Sequence, residues 1–172
     1  MWLPAPAEER PTKPQALVAG AGPIGLLAAA CADRAGATDV VVTDVREERL
    51  QLALRYGATE VFTSQDAPDP TDPFPGSGYD VFIDATGVEP AVLSGLHRLA
   101  PAGRAVLVGM GMDTLALPVP LVQNRQLEIT GTFRYANTWP TAVRLAASGV
   151  IDLDGLVTSR HDLDDVATAL TI

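Results

Sequence analysis

Cysteine is nearly absent: Cys31 is the only one in 172 residues, so the chain can neither close a disulfide on itself nor assemble a cysteine-cluster zinc site. Histidine is almost as scarce. His97 and His161 are far apart and have no ligand-type spacing around them, so each is expected to be structural or solvent-facing, and no metal site is expected. Positive charge is also in short supply, with 12 Lys and Arg against 21 Asp and Glu and a net charge of −9. That balance opposes contact with a phosphate backbone and removes nucleic acid from the expected partners. No apolar run approaches the roughly 20 residues that span a bilayer, and no basic segment followed by a hydrophobic stretch opens the chain. Neither a membrane nor an export route is expected, and a cytoplasmic location is the default.

What is present is apolar material for one sizeable core, 47% hydrophobic against 19% charged. Residues 1–14 (MWLPAPAEERPTKP) are rich in proline and scattered charge and read as a flexible lead-in. Cys31, on a predicted helix, reads as a small buried apolar group. From Gln15, short β-branched or apolar runs alternate with helical stretches: Ala16 to Ala19, Val40 to Thr43, Glu60 to Phe62, Val81 to Asp84, Ala105 to Val108 and Leu127 to Thr130. Pro23 opens a helix that Gly36 can end, Arg46 to Tyr56 form a second closed by Gly57, and Pro90 opens a third. Right-handed crossovers then place helices on both faces of a doubly wound parallel sheet, the Rossmann arrangement. Between Phe62 and Tyr79 the prolines are too many for a helix, so an irregular loop is expected there. Beyond residue 135 a helical tail is predicted: a helix capped by Asn137 or Thr138 and running to Ser148, a short strand at Leu156 to Thr158, and a last helix from Leu163 to Leu170.

The strongest local signal is Gly20-Ala21-Gly22-Pro23-Ile24-Gly25, which fits G-x-G-x-x-G and lies between a predicted strand and a predicted helix. Gly20 permits a tight turn, Gly22 lets a pyrophosphate approach backbone, and Gly25 lets helix and strand pack closely. The helix N-terminus attracts the diphosphate. Asp44 falls at the end of the second strand, near the roughly 20-residue separation expected of a carboxylate that holds ribose hydroxyls. Its charge would repel a 2′-phosphate, which favours NAD, although Arg46 and Arg49 nearby keep an NADP-linked reductase open. Two further strand ends, Asp84-Ala85-Thr86-Gly87 and Val108-Gly109-Met110-Gly111, lie on the ligand-binding edge of such a sheet.

GAGPIGLLAAA, VVVTDVREERLQLALRYGA, FIDATG, AVLVGMGM and above all NRQLEITGTFRYANTWPTAV resemble the coenzyme domain of the zinc-dependent medium-chain dehydrogenases, in their sorbitol (L-iditol) and polyol branch. The likeness runs from about Gln15 to the end of the chain. It implies that Gly22, Pro23 and Ile24 line the pyrophosphate, that Asp44 and Arg49 hold the adenosine ribose, and that Thr86 and Gly87 flank the adenine. It further implies that the backbone of Val108, Gly109 and Met110 faces the nicotinamide. Phe133, Arg134 and Tyr135 would approach that end, with Arg134 and Tyr135 as substrate-side candidates.

The same resemblance implies oxidation of a secondary alcohol of a sorbitol, L-iditol or xylitol type polyol to a ketose, with hydride passing to NAD. In the family zinc is held by a catalytic domain whose ligands are not identifiable in this sequence. Zinc is therefore not expected on this chain, polyol is expected to bind only alongside such a domain, and the chain alone is expected to be inactive. Self-association through coenzyme domains is implied as well. A non-catalytic nucleotide-binding module that docks a separate catalytic partner is the alternative.

Overall fold

The computed structural model describes residues 14–66 and 78–171. The predicted lead-in and most of the predicted 63–78 loop lie outside the described residues. Six parallel strands form one sheet in the order β3-β2-β1-β4-β5-β6: β1 Gln15–Ala19, β2 Asp39–Asp44, β3 Glu60–Thr63, β4 Tyr79–Asp84, β5 Leu99–Leu107 and β6 Glu128–Gly131. This is the Rossmann order. Strand order reverses between β1 and β4, so a crevice opens beyond their carboxyl ends, where open α/β sheets bind ligands.

The alternation of side chains along each strand assigns the two faces of the sheet. Leu17, Val41, Phe82 and Ala105 point to one face and pack with Val92 and Leu96 of α3 (Glu89–His97). Val18, Val40 and Val42 are fully buried on the other, beneath α1 (Pro23–Arg34) and α2 (Glu47–Arg55), which bury Leu26, Ala29, Leu50 and Ala53. Gly36 and Gly57, at φ of 96° and 88°, follow the ends of those helices as left-handed stops.

In the sheet unit the structure departs from expectation in three places. Cys31 is on α1 but exposed rather than buried, because α1 turns Leu26, Ala29 and Ala30 to the sheet and leaves position 31 on the outer side. A helix not anticipated, α4 (Val119–Arg125), sits between β5 and β6. Pro118 precedes it and Pro120 occupies its first turn, where no intrahelical N–H is needed. Arg125 fastens α4 down by donating to the carbonyls of His97 and Leu99 at 2.7 and 2.8 Å. β5 starts six residues earlier than its β-branched run, since Leu99 pairs with Tyr79 before a register shift. Ala102 takes the positive φ of 61° that this irregularity requires.

The chain divides into one compact unit ending at Ala136 and a second beginning at Asn137. In the second, α5 (Trp139–Ala147) follows Thr138, whose carbonyl accepts the Ala142 N–H and whose side chain makes no capping bond. The expected strand at Leu156 to Thr158 is not formed. Asp152 Oδ1 accepts the Gly155 N–H at 3.0 Å and bends Asp154–Leu156 into a 3-10 turn. The expected last helix is a 3-10 turn at Leu163–Asp165 followed by the four-residue α6 (Val166–Ala169), in keeping with its two acidic and two β-branched residues, Asp164, Asp165, Val166 and Thr168. Among the described residues, no helix is long and apolar enough to cross a membrane.

Candidate nucleotide-binding site

The turn from β1 into α1 is shaped by contacts only glycine allows. A Cβ on Gly25 would stand 1.8 Å from the Gly20 carbonyl oxygen, so that position must be bare for helix and strand to meet. Gly20, at φ 97°, donates its N–H to the Thr43 carbonyl at 2.7 Å. Gly22 differs from both. A Cβ there would meet no atom within 4 Å, so its surroundings are open space at the mouth of α1. Helix geometry leaves the first-turn N–H groups of α1 without intrahelical acceptors, and they face this opening with the positive end of the helix dipole.

Gly20 and Gly22 line a cleft of about 310 Å³ together with Asp44, Arg49 and Thr86. Asp44 is 8% exposed. Its Oδ2 accepts the Ala21 N–H at 2.7 Å and its Oδ1 the Arg46 N–H at 2.9 Å, so one carboxylate fixes both the glycine turn and the start of α2. A carboxylate offers about four acceptor sites, which leaves one on each oxygen for a ligand hydroxyl. Arg49 stands in the first turn of α2, exposed beside it.

The cleft also takes in residues that the sequence does not single out, among them Val45, Ser64 and Val88. Ser64 reaches the cleft because β3 pairs with β2, and its N–H binds the Asp44 carbonyl at 2.9 Å. A Ser directly after the third strand was the available signal. Val45 and Val88 supply apolar walls suited to a planar base, and a cavity of about 210 Å³ under α3 adjoins the cleft along them.

The remaining predicted residues lie around rather than in this cleft. Pro23 and Ile24 open α1, with Ile24 exposed. Gly87 and the Val108-Gly109-Met110 exit of β5 pack directly on each other: a Cβ on Gly109 would stand 2.0 Å from the Gly87 nitrogen. Val108 and Gly109 both donate to the Asp84 carbonyl at 2.9 Å. Phe133, Arg134 and Tyr135 follow β6. Phe133 and Tyr135 are exposed, Arg134 has a φ of 57°, and its guanidinium lies 5.0 Å from the Phe133 ring centroid.

The open space at Gly22, the buried acceptor at Asp44 and the apolar walls beyond it fit a dinucleotide. A metal finds no such fit: among the described residues no group of three or more His, Cys, Asp or Glu side chains could hold one. The histidines are otherwise engaged, His97 Nδ1 lying 2.8 Å from the Leu93 carbonyl and His161 Nε2 2.9 Å from Ser159 Oγ.

Comparison with known proteins agrees with this geometry. The family model for zinc-binding dehydrogenases matches residues 23–148, well over half of the chain. Sorbitol dehydrogenase from Bos taurus is 37% identical over 158 residues, covering 89% of this chain and 44% of its own length. The probable D-xylulose reductase A of Emericella nidulans is also 37% identical, covering 89% and 45%. Among solved structures, L-idonate 5-dehydrogenase from Escherichia coli superposes with a TM-score of 0.83 at 26% identity, covering 92% of this chain and 46% of that one. An alcohol dehydrogenase of Escherichia coli CFT073 in complex with NADH superposes with a TM-score of 0.80 at 25% identity, over 94% and 49%. The chain spans less than half the length of the relatives it matches. It belongs to the zinc-binding dehydrogenases, as a sorbitol-dehydrogenase-like, coenzyme-binding domain.

Proposed function

We propose that this chain is the NAD-binding part of a polyol dehydrogenase, which oxidises a secondary alcohol of a sorbitol, L-iditol or xylitol type polyol to the ketose. The observation that carries the reading is the cleft itself, with an unfilled cradle at Gly22 and the Asp44 carboxylate at its side. The first turn of α1 holds the diphosphate. Asp44 accepts the hydroxyls of the adenosine ribose, Arg49 covers that sugar, and Val45 and Val88 enclose the base. When bound, NAD supplies the acceptor for a hydride, and the Val108 to Met110 backbone with Phe133 borders its nicotinamide. Arg134 and Tyr135 stand on the substrate side, where Arg134 has donors to spare for polyol hydroxyls. Among the described residues no group of three or more His, Cys, Asp or Glu side chains could hold zinc.

NAD is favoured over NADP because a 2′-phosphate would be pressed against a carboxylate shielded from water. The exposed Arg46 and Arg49 screen that repulsion only in part. Self-association through the outer edge of β6 belongs to the same proposal, since among the described residues β6 ends the sheet and one side of its ladder is open.

Isothermal calorimetry tests the cofactor assignment. Saturable NADH binding is expected, at least tenfold tighter than NADPH. Asp44→Ala is expected to weaken NADH by about tenfold or more through lost charge-assisted hydrogen bonds, and to narrow the gap to NADPH. A folded chain that binds neither nucleotide, or prefers NADPH, overturns the assignment.

A further inference from the structure

We propose that Asp84 is a positioning residue for the nicotinamide end of the cleft, acting through the Thr86–Gly87 turn on the exit of β5. The proposal rests on the cofactor reading above.

Asp84 is wholly buried at the tip of β4, yet it does not line the cleft. Its hydrogen bonds go to its own turn. Oδ1 accepts the Thr86 N–H at 3.0 Å and the Thr86 hydroxyl at 2.6 Å, and Oδ2 accepts the Gly87 N–H at 3.2 Å. The Thr86 hydroxyl in turn accepts the Val88 N–H at 3.1 Å, so it both donates and accepts and its rotamer is fixed. With the hydroxyl turned inward, the Thr86 methyl faces the glycine turn, 3.1 Å from where a Cβ on Gly20 would stand.

The other half of the turn bears on β5. Gly87, at φ 67°, lies so close to the Met110 backbone that a Cβ would be 2.5 Å from its carbonyl oxygen. The nearness of Gly87 to Gly109 leaves no slack there either. The Asp84 carbonyl completes the link by accepting from Val108 and Gly109. One residue thus ties two strand ends together, with its side chain on the β4 turn and its backbone on β5. A carboxylate is costly to bury and a well-packed apolar residue often serves stability as well or better. A buried acceptor that fixes Gly87 against Gly109 accounts for the expense by holding the two loops in one arrangement before a ligand arrives.

The test compares NADH with ADP-ribose, which shares every group except the nicotinamide, on the full chain. Asp84→Asn keeps the size and the Thr86 contacts but sets an NH₂ against the Gly87 N–H. It is expected to weaken NADH about tenfold while changing ADP-ribose less than about threefold, and to reduce the nicotinamide fluorescence gain on binding. A stabilising role alone would lower the melting temperature and leave the ratio of the two affinities where it was. Equal loss of both ligands, or loss of neither, in a cooperatively folded variant overturns the proposal. Should that variant fail to fold, amide exchange on the unsubstituted chain decides. The Gly87, Val108 and Gly109 amides are expected to exchange as slowly without ligand as those of the β4 interior, and fast exchange at these sites sinks the idea. If the unsubstituted chain binds neither NADH nor ADP-ribose, the cofactor reading fails instead.

Discussion

At the scale of single residues, two glycines three positions apart in one turn do opposite work. Gly25 is bare because the Gly20 carbonyl occupies the volume of a side chain, whereas Gly22 borders space that nothing in the chain fills. The first is a requirement of packing and the second of ligand access. The substitutions should therefore separate. Gly22→Ala, at an ordinary φ of −73°, is expected to leave the urea midpoint nearly unchanged and to weaken NADH severalfold as its methyl meets the diphosphate. Gly25→Ala must displace α1 and is expected to cost about 1–3 kcal/mol of stability whether or not ligand is present. Equal behaviour of the two variants in urea melts and calorimetry would contradict this division.

At the scale of elements, α3 is seated by a comparable close approach. A Cβ on Gly95 would fall 2.2 Å from Cζ of Phe82, a side chain with no exposed surface in the middle of β4. Phe82 packs in the buried cluster with Leu17, Val92 and Leu96, so a methyl on Gly95 must displace a ring of that core. Gly95→Ala is thus expected to destabilise the fold by about 1–3 kcal/mol, read as a lower urea midpoint with an unchanged slope. The elements whose ends carry local punctuation could be read from sequence: α1 between Pro23 and Gly36, α2 before Gly57, and the strands by their β-branched runs. The site was legible to the same depth. Gly20, Gly22 and Asp44 declare themselves by spacing along the chain, and the structure brings them to one cleft. Ser64 did not, and Asp84 was legible only as part of a strand end, because their roles depend on which strands are neighbours and on burial, neither of which is a property of a short window. The second unit was read least well. Its isolated apolar runs were assigned a strand and a long helix by local preference, but Leu156–Thr158 has no partner strand and Leu163–Leu170 winds only briefly.

At the scale of the molecule, stability should depend on pH at the alkaline end through a group remote from the cleft tip. Tyr79 opens β4 with 5% of its surface exposed, and burial pushes its phenol up to about 12, only partly offset by the Arg98 guanidinium, with Glu60 and Asp39 adding in the raising direction. An unfolded chain ionises its tyrosines near pH 10. Between about pH 10 and 12 the folded state therefore retains a proton that the unfolded state has released, and stability must fall as pH rises through that window. Below pH 10 both states carry the proton and this group contributes no slope. A shift from 10 to about 12 corresponds to a loss of about 2–3 kcal/mol once the window is crossed. Other ionisations also act at such pH, so the measurement is a difference: urea unfolding of the unsubstituted chain and of Tyr79→Phe from pH 9 to 11. The unsubstituted chain should lose stability more steeply with pH than Tyr79→Phe above pH 10, and parallel curves would mean that the phenol ionises as readily in the fold as in water.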